Sequence, residues 1–146
     1  MASRQLVIFG INGEEFGVEI THVKEINRPM EIFKIPNTPD YIEGLINLRG
    51  KVHTVFNLRK RFGLADNGMD ENSKIIMVNV DTSVIGFIVD EVKEIIRVED
   101  EDLEDTPKVL TDLKGKYVNG VAKIGERVVL MLNLDTTFRI QEDEAV

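Results

Sequence analysis

The stretch YIEGLINLRGKVHTVFNLRKRF at residues 41–62 returns in altered form 76 residues further along the chain. Residues 117–138 read YVNGVAKIGERVVLMLNLDTTF and align with it without a gap. Identical residues stand at these matching positions: Tyr41 and Tyr117, Gly44 and Gly120, Val52 and Val128, Asn57 and Asn133, Leu58 and Leu134, and Phe62 and Phe138. A match that keeps its spacing over so long a stretch indicates that one structural unit occurs twice.

A second pair of similar segments lies upstream of the first pair, in the same order in each half. EFGVEITHVKEI at residues 15–26 matches VIGFIVDEVKEI at residues 84–95. We therefore predict a single domain over residues 1–146 that consists of two related subdomains. The predicted subdomains cover about 5–66 and about 72–140.

The segments outside the two halves are polar. ADNGMDENS at about 65–73 contains Gly, Asn and several acids, which is typical of a linker. The last residues, 141–146, are expected to form a flexible tail. A chain of 146 residues can bury most of its apolar surface without disulfides or metals.

Each half shows the same succession of local signals. An apolar run is followed by a turn at Asn12-Gly13 or at residues 81–83, and Asn-Gly is a strong hairpin signal. A second strand follows, then a short helix that opens near Thr21 or Asp90, both good N-cap residues. Another strand, a proline-containing loop and a last hairpin complete the half, and these hairpins turn at Arg49-Gly50 and Gly125-Glu126. About five strands per half predict a mostly all-β fold of two small five-stranded barrels packed together.

The last strand of the first half is rich in β-branched and large apolar residues. Two sets of residues alternate along it: Val52, Thr54, Phe56 and Leu58 in one, and Lys51, His53, Val55 and Asn57 in the other. The alternation predicts one buried and one partly exposed face. Val52 itself has two interpretations, because its match to Val128 is compatible with a core position and its place beside a hairpin turn with an interface position.

The composition disfavours some classes of function and excludes others. Lys and Arg number 18 against 26 Asp and Glu, so the net charge of −8 disfavours nucleic acid as a main ligand. No stretch approaches the ~20 apolar residues that span a bilayer, and no signal peptide pattern is present, so we expect a soluble chain without membrane insertion. The absence of cysteine excludes disulfides and cysteine metal sites and fits a reducing cytosol.

Residues that carry catalytic or metal chemistry are sparse. His22 and His53 are the histidines, and neither has a histidine partner at ligand spacing. The acidic run at 99–105 lacks the Gly and the terminal Glu of an EF-hand loop and is expected to be a solvated loop. No phosphate-binding, dinucleotide-binding, nucleophile-elbow or zincin motif occurs. We therefore predict a protein that is not an enzyme and that holds no metal and no cofactor.

The opening stretch is basic although the chain is acidic. Arg59, Lys60 and Arg61 are consecutive, so their side chains point in different directions. No aromatic residues lie between them for bases to stack on. A solvated turn after the last strand is therefore favoured over a nucleic-acid surface.

Arg49 differs from the other basic residues of that stretch. Gly125 stands at the matching position of the second half, so the fold does not require an arginine there. We predict that Arg49 forms an ion pair with Glu25, the acid that follows the first short helix. The second half keeps the equivalent acid as Glu94 but lacks the matching arginine, so only the first half is expected to pair this acid with a guanidinium from the hairpin turn.

INLRGKVHTVFNLRKRFGL at residues 46–64 resembles the signature of the CheW family of bacterial chemotaxis coupling proteins, which is close to N-L-R-G-x-[VI]-x-P-[VI]-x-D-L-R-x-[RK]-F. The residues that fit this signature are Asn47, Leu48, Arg49, Gly50, Val52, Val55, Leu58, Arg59, Arg61 and Phe62. Thr54 stands where the family usually has Pro, and Asn57 where it usually has Asp. The resemblance continues through EEFGVEITHVKEI, IPNTPDYIEG, VIGFIVDEVKEI and YVNGVAKIGERVVLMLNLD and covers about 5–138.

The resemblance implies a non-enzymatic adaptor built from two five-stranded SH3-like barrels. Members of the family link transmembrane chemoreceptors to the histidine kinase CheA, whose regulatory domain has the same fold. The chain would then be a cytoplasmic monomer that is recruited to receptor–kinase arrays at the inner face of the membrane. The alternative is a small β-barrel module that binds a ligand or a nucleic acid.

The resemblance also implies three contact regions. The kinase regulatory domain would contact Glu43, Gly44, Gly50 and Val52. The receptor tip would lie in a groove between the barrels, near Val23, Glu25, Arg49, Ile75 and Ile95. A second kinase contact would lie on the other barrel, near Glu104 and Val109.

Overall fold

The computed structural model describes residues 2–107 and 113–139, which fold into two curled β-sheets. The strands are β1 (Ser3–Ile11), β2 (Glu14–Glu19), β3 (Val23–Asn27), β4 (Ile42–Leu48), β5 (Lys51–Asn57), β6 (Lys74–Val80), β7 (Ser83–Val89), β8 (Glu91–Glu99), β9 (Leu103–Glu104), β10 (Val118–Ile124) and β11 (Arg127–Leu132). The one-turn helices α1 (Leu58–Arg61) and α2 (Leu134–Thr137) follow β5 and β11. Short 3-10 segments lie at Ile20–His22, Asp100–Asp102 and Leu113–Tyr117. The predicted all-β class with short helices is confirmed.

Each sheet contains strands from both halves of the sequence. Sheet A has the order β8-β1-β2-β11-β10-β9, and sheet B has the order β3-β6-β7-β5-β4. The β1–β2 hairpin of the first half therefore lies among strands of the second half, and the β6–β7 hairpin lies among strands of the first. The prediction that 5–66 and 72–140 each form a separate barrel is wrong, because the two repeats exchange their first hairpins.

Equivalent parallel strand pairs hold the exchanged hairpins in place. In sheet A, β2 runs parallel to β11 with Gly17 opposite Met131. In sheet B, β7 runs parallel to β5 with Gly86 opposite Val55. These pairs are related by the offsets of the sequence repeat, 69 residues for the glycines and 76 for their partners. The two sheets are thus barrel-like subdomains with the same internal arrangement.

The exchange buries β1 and β6 on both of their faces. Along β1, Val7 and Phe9 pack in a central cluster that both sheets share, whereas Leu6 and Ile8 pack inside sheet A. Along β6, the residues divide in the same way: Ile76 and Val78 centrally, Ile75 and Met77 inside sheet B. Successive side chains of a strand point to opposite faces. Burial on both faces therefore accounts for the apolar runs LVIFGI at residues 6–11 and IIMV at residues 75–78.

The predicted hairpin turns adopt the backbone that short hairpins favour. The φ angles are 54° at Asn12 and 80° at Gly13, and 50° at Arg49 and 83° at Gly50. Positive φ at both central residues matches the twist of the flanking strands. In the second half, Gly125 opens the equivalent turn with a φ of 61°. These turn predictions are confirmed.

The predicted short helices differ between the halves. Near Thr21 the chain forms a three-residue 3-10 segment, Ile20–His22. Near Asp90 the prediction of a helix is wrong, since β8 begins at Glu91. The backbone N–H of Asp90 donates to the carbonyl of Gly10 at 2.9 Å, so this residue takes part in the contact between β8 and β1 instead of opening a helix.

Burial along β5 changes from one end of the strand to the other. Lys51 and Val52 are exposed, whereas Val55 and Phe56 are both buried. Val55 packs inside sheet B and Phe56 in the central cluster, so the predicted alternation is wrong for the second part of the strand. Val52 keeps 61% of its surface exposed and Val128 keeps 57%, which excludes a core position for both.

Residues 62–73 connect α1 to β6 without a strand, and the predicted linker at about 65–73 lies in this segment. Its end is held by Ser73, which is buried and exchanges hydrogen bonds with Asp70. The predicted tail at 141–146 and the predicted contact residue Val109 lie outside the described residues. In the part of the chain that the structure describes, none of the helices has the length and apolar character to cross a membrane.

Candidate functional site

Arg61 lies inside the protein, so the predicted solvated turn is wrong for this residue. It is 6% exposed, and its Nε donates to the carbonyl of Thr137 at 3.0 Å. The guanidinium also donates to the carbonyls of Thr136 and Arg139, and it lies 4.0 Å from the ring centre of Tyr41. Arg61 is buried because its side chain reaches the carbonyl end of α2, a contact between residues far apart in the sequence. The last carbonyls of a helix lack donors within the helix.

Arg59 is held by a two-point ion pair with Asp90. Its Nε donates to Oδ1 at 3.1 Å, and a terminal nitrogen donates to Oδ2 at 2.7 Å. Oδ2 of Asp90 also accepts the backbone N–H of Asn12 at 2.7 Å. Burial raises the pKa of Asp90, but the hydrogen bonds from Arg59 and Asn12 outweigh it and hold that pKa below its usual value. Arg59 and Arg61, the first and last residues of the basic run, thus stabilise the fold through contacts within the protein.

The predicted ion pair between Arg49 and Glu25 is present. Arg49 lies in the β4–β5 turn with 70% of its side chain exposed, and its guanidinium donates to the Glu25 carboxylate. Asn27 donates from Nδ2 to the other oxygen of Glu25 at 2.9 Å. The pKa of Glu25 is lowered, first by the Asn27 hydrogen bond and then by that of Arg49. Two donors thus orient one carboxylate on the edge strand of sheet B.

The second half also pairs its equivalent acid, but with an arginine that lies in β11 and not in the hairpin turn. A terminal nitrogen of Arg127 lies 2.9 Å from Glu94. The same guanidinium donates two hydrogen bonds of 3.0 Å to Glu15. The hydrogen bond from Arg127 is the main reason that the pKa of Glu15 is lowered. Arg127 stands two positions after Gly125, so a comparison of matching positions alone does not find it.

The residues predicted to contact a kinase lie at opposite ends of the β4–β5 hairpin. Gly50 and Val52 are exposed at the turn, whereas Glu43 and Gly44 lie near the start of β4. Gly44 is buried with a φ of 153°, and a Cβ added to it would overlap the carbonyl oxygen of Phe33. Gly44 therefore serves the backbone and presents no side chain to a partner.

The loop after β3 pairs with β4 at one antiparallel bridge and leaves Phe33 on the surface. Phe33 exchanges two backbone hydrogen bonds of 2.8 Å with Leu45, and its side chain is 52% exposed. Phe33 was not predicted as a surface residue, because an apolar residue in a proline-containing loop carries no signal of exposure. Ile26, which is 38% exposed, was not predicted either, although the repeat relates Ile26 to Ile95.

The predicted receptor-contact residues divide between the two sheets. Val23 and Glu25 lie on β3 in sheet B, where Val23 packs partly against the central cluster. Ile95 lies on β8 in sheet A, opposite Val7, and is 53% exposed. Ile75 has no exposed surface because it packs inside sheet B. Direct contact of Ile75 with a partner is therefore excluded, and its prediction as a contact residue is wrong.

A polar groove of about 670 Å³ lies between sheet A and the β6–β7 turn. Five carboxylates line it: Glu19, Asp81, Glu104, Asp105 and Asp135. Glu104, which was predicted at a second kinase contact, forms an ion pair of 2.8 Å with Lys123. Within residues 2–107 and 113–139, no three histidine or acidic side chains come together in a way that could hold a metal ion.

Comparisons with known proteins agree with one another. The family model of the CheW-like domain matches residues 5–142. The chain is 32% identical over 142 residues to the chemotaxis protein CheW of Treponema pallidum, covering 94% of this chain and 84% of that protein. It is 34% identical over 142 residues to the probable chemotaxis protein CheW of Rhizobium etli, covering 97% and 92%. The crystal structure of the scaffolding protein TtCheW from Thermoanaerobacter tengcongensis matches with a TM-score of 0.91 and 35% identity, over 99% of both chains.

Proposed function

The chain belongs to the CheW family of chemotaxis scaffolding proteins, and from that premise we propose that it couples transmembrane chemoreceptors to a CheA-type histidine kinase. It is an adaptor and not an enzyme. We place it in the cytoplasm, as a monomer that joins receptor–kinase arrays at the inner face of the membrane. This role requires separate surfaces for the kinase and for the receptor.

The observation that carries the kinase contact is the exposure of Val52. It is 61% exposed although it lies in a strand whose backbone is paired on β4, opposite Asn47. A strand side chain that is already ordered loses little freedom on binding, so such a valine suits the centre of a protein contact. Gly50 lies beside it in the turn, Glu43 lies at the far end of the hairpin, and Gly44 sets the backbone there.

The corner formed by Arg49 and Glu25 supports the receptor contact. An exposed ion pair contributes little to folding, so the fixed position of the Glu25 carboxylate between Arg49 and Asn27 favours a role in a binding surface. Ile26, next to Glu25, adds exposed apolar surface. Val23 lies partly buried behind this corner, and Ile95 adds exposed apolar surface on sheet A. In this proposal the receptor tip contacts Arg49 and Glu25 directly.

A second kinase contact is proposed on sheet A, around Glu104. Glu104 is exposed on β9, the edge strand of the sheet, and it pairs with Lys123. Val128 lies opposite Lys123 in the β10–β11 ladder and is 57% exposed. A charged edge with an adjoining apolar side chain fits a protein contact better than a small-molecule site. Val109 remains a predicted member of this contact.

Binding measurements with purified partners test the proposal. We expect saturable binding of the wild-type chain to the regulatory domain of a CheA-type kinase in calorimetry. We also expect receptor-stimulated kinase activity to require the chain when receptor, kinase and chain are combined in membranes. ATP and a DNA oligonucleotide serve as controls that should give no binding. The proposed function is contradicted if neither the kinase domain nor the receptor-dependent activity responds to the chain.

A further inference from the structure

The side chain of Asn57 is 5% exposed and uses both of its polar atoms. Its Nδ2 donates to Oε1 of Glu43 at 2.9 Å and to Oδ2 of Asp66 at 3.1 Å. Its Oδ1 accepts the backbone N–H of Lys60 at 3.1 Å and so caps α1. We propose that Asn57 is a positioning residue, whose amide holds the Glu43 carboxylate for the kinase contact and ties the linker to the hairpin through Asp66. This role rests on the proposed function, because Glu43 belongs to the proposed kinase contact.

An amide at this position allows two carboxylates to meet at one point. An aspartate would cap α1 equally well, but it would replace two hydrogen bonds to Glu43 and Asp66 with repulsion between like charges. Nearby cations offset that repulsion only in part, because Lys60 Nζ pairs with Asp66 at 3.8 Å and Arg59 is held mainly by its ion pair with Asp90. Asn57, Glu43 and Asp66 therefore form a matched set of side chains.

The surroundings of this set strengthen the interaction between its members. All three side chains line a cavity of about 200 Å³ whose wall also includes Met69 and Ile88. The ion pair of Arg59 and Asp90 also lines the cavity. Met69 and Ile88 reduce the access of water on their side, and like charges are screened less where water is partly excluded. A third carboxylate at position 57 would therefore repel the carboxylates of Glu43 and Asp66 more strongly than it would in open solvent.

The second half of the chain provides an internal comparison. Asn133 caps α2 as Asn57 caps α1, with its Oδ1 3.2 Å from the backbone nitrogen of Thr136. The position that matches Glu43 is occupied by Asn119, which carries no charge. Asn133 therefore shares the capping role of Asn57 but not the contact with a carboxylate on the first strand of the hairpin.

A carboxylate that is already held in place is an advantage at a contact surface. A free glutamate side chain loses rotamer freedom when a partner binds, whereas Glu43 has lost part of it in the unbound protein. A fixed charge also favours one orientation of the approaching partner. Since Asn57 is buried, it acts on the partner through Glu43 and not by direct contact.

The side-chain amide signals of the 15N-labelled protein test these contacts without any partner. Glu43→Gln and Asp66→Asn should each shift the NH2 signals of Asn57, because each variant removes a charged acceptor. The NH2 signals of Asn133 should stay unchanged in both variants. Asn57 signals that do not move in either variant would overturn the proposal.

Calorimetry with the kinase regulatory domain tests the consequence for binding. Asn57→Asp should weaken binding by about tenfold, whereas the matched variant Asn133→Asp should bind like the wild type. Adding Asp66→Asn to Asn57→Asp supplies an amide opposite the new carboxylate and should recover part of the affinity. Wild-type affinity of Asn57→Asp, or an equal loss in Asn133→Asp, contradicts the proposal.

A second variant keeps the proposal testable if Asn57→Asp fails to fold. Asn57→Ser retains a capping oxygen, adds no charge and releases both Glu43 and Asp66, so it should fold and bind more weakly than the wild type. Unchanged affinity of this folded variant counts against the positioning role. If the wild-type chain itself does not bind the regulatory domain, the proposed function fails, while the amide signals still decide whether Asn57 holds the two carboxylates.

Discussion

Two equivalent corners of the molecule each contain an ion pair between a glutamate and an arginine. The glutamates occupy matching positions of the repeat, whereas the arginines do not. In the first corner, Arg49 in the hairpin turn reaches Glu25 with 70% of its side chain exposed. In the second, Arg127 at the start of β11 reaches both Glu94 and Glu15 with 37% exposed. The fold therefore accepts a cation near this acid at either position. Only in the first corner does the cation lie in the turn itself, where a partner can contact it.

The two halves also differ at their one-turn helices, α1 and α2. Asn57 and Asn133 cap α1 and α2 alike, and their backbone N–H groups donate to the carbonyls of Tyr41 and Tyr117 at 2.7 and 2.8 Å. At the other helix end, Arg61 stands where the second half has a threonine. The buried guanidinium of Arg61 in the first repeat thus binds carbonyls at the end of α2 in the second repeat. This contact connects the two repeats.

Of the variants considered, removal of Arg61 should lower the stability of the protein most, because α2 has no equivalent side chain. Arg61→Met should lower the free energy of unfolding by about 3 kcal/mol, because buried carbonyls at the end of α2 lose their donor. Urea unfolding measures the change. Arg139→Met, which removes an exposed guanidinium nearby, should change it by less than about 0.5 kcal/mol. Equal and small effects of both variants would show that Arg61 does not join the repeats.

A glutamate at the two matched exposed valines should separate the kinase contact around Val52 from the second proposed contact around Glu104, which Val128 adjoins. Val52→Glu should weaken binding to the kinase regulatory domain by about tenfold, and Val128→Glu should weaken this binding much less. Neither should change the free energy of unfolding by more than about 0.5 kcal/mol, since both side chains are largely exposed. The predicted asymmetry is refuted by equal losses of affinity, and loss of fold in Val52→Glu would point to a structural role.

The ion pair between Arg59 of the first half and Asp90 of the second half should make the stability of the protein sensitive to acid. Asp90→Asn should cost about 1 kcal/mol at neutral pH, allowing for partial exposure. Because the pKa of Asp90 is lowered in the folded state from 3.8, the contribution is complete above that value and is lost as the pH falls below it. Urea unfolding of both proteins from pH 7 to pH 2.5 should show the difference narrowing at low pH. Asp135→Asn, at the position that matches Arg59, is the exposed control, and a difference independent of pH contradicts the assignment.

The smallest effects on stability are expected at the two corners. Arg127→Ala should lower the urea midpoint more than Arg49→Ala, because Arg127 contacts two carboxylates and is less exposed. Receptor-dependent kinase activation should show the reverse order. A double-mutant cycle with Glu25→Arg, Arg49→Glu and the swapped pair then measures the coupling in both assays. Effects that simply add in the swap, in both assays, would exclude a functional pair of Glu25 with Arg49.

The sequence alone determined the features that depend on neighbouring residues or on similarity between segments. The repeat, the hairpin turn at Arg49-Gly50, the all-β class and the family all follow from local patterns, because turn residues and strand composition act over a few positions. The pair of Glu25 with Arg49 was also predictable, since the comparison of the repeats singled out the arginine. Its counterpart Arg127 was missed, because a long side chain can reach the same acid from a shifted position.

The tertiary structure alone decided which strands share a sheet and which side chains reach the surface. Periodicity along a strand does not show which edge a hairpin joins, so the exchange of the first hairpins was not predictable from either half. That exchange buries strands on both faces, which places Ile75 inside sheet B and leaves Val52 and Ile95 outside. It also brings α1 against α2, so that Arg61 meets carbonyls 75 and 76 positions away. Burial and pairing over such separations depend on long-range packing, which no local stretch of sequence records.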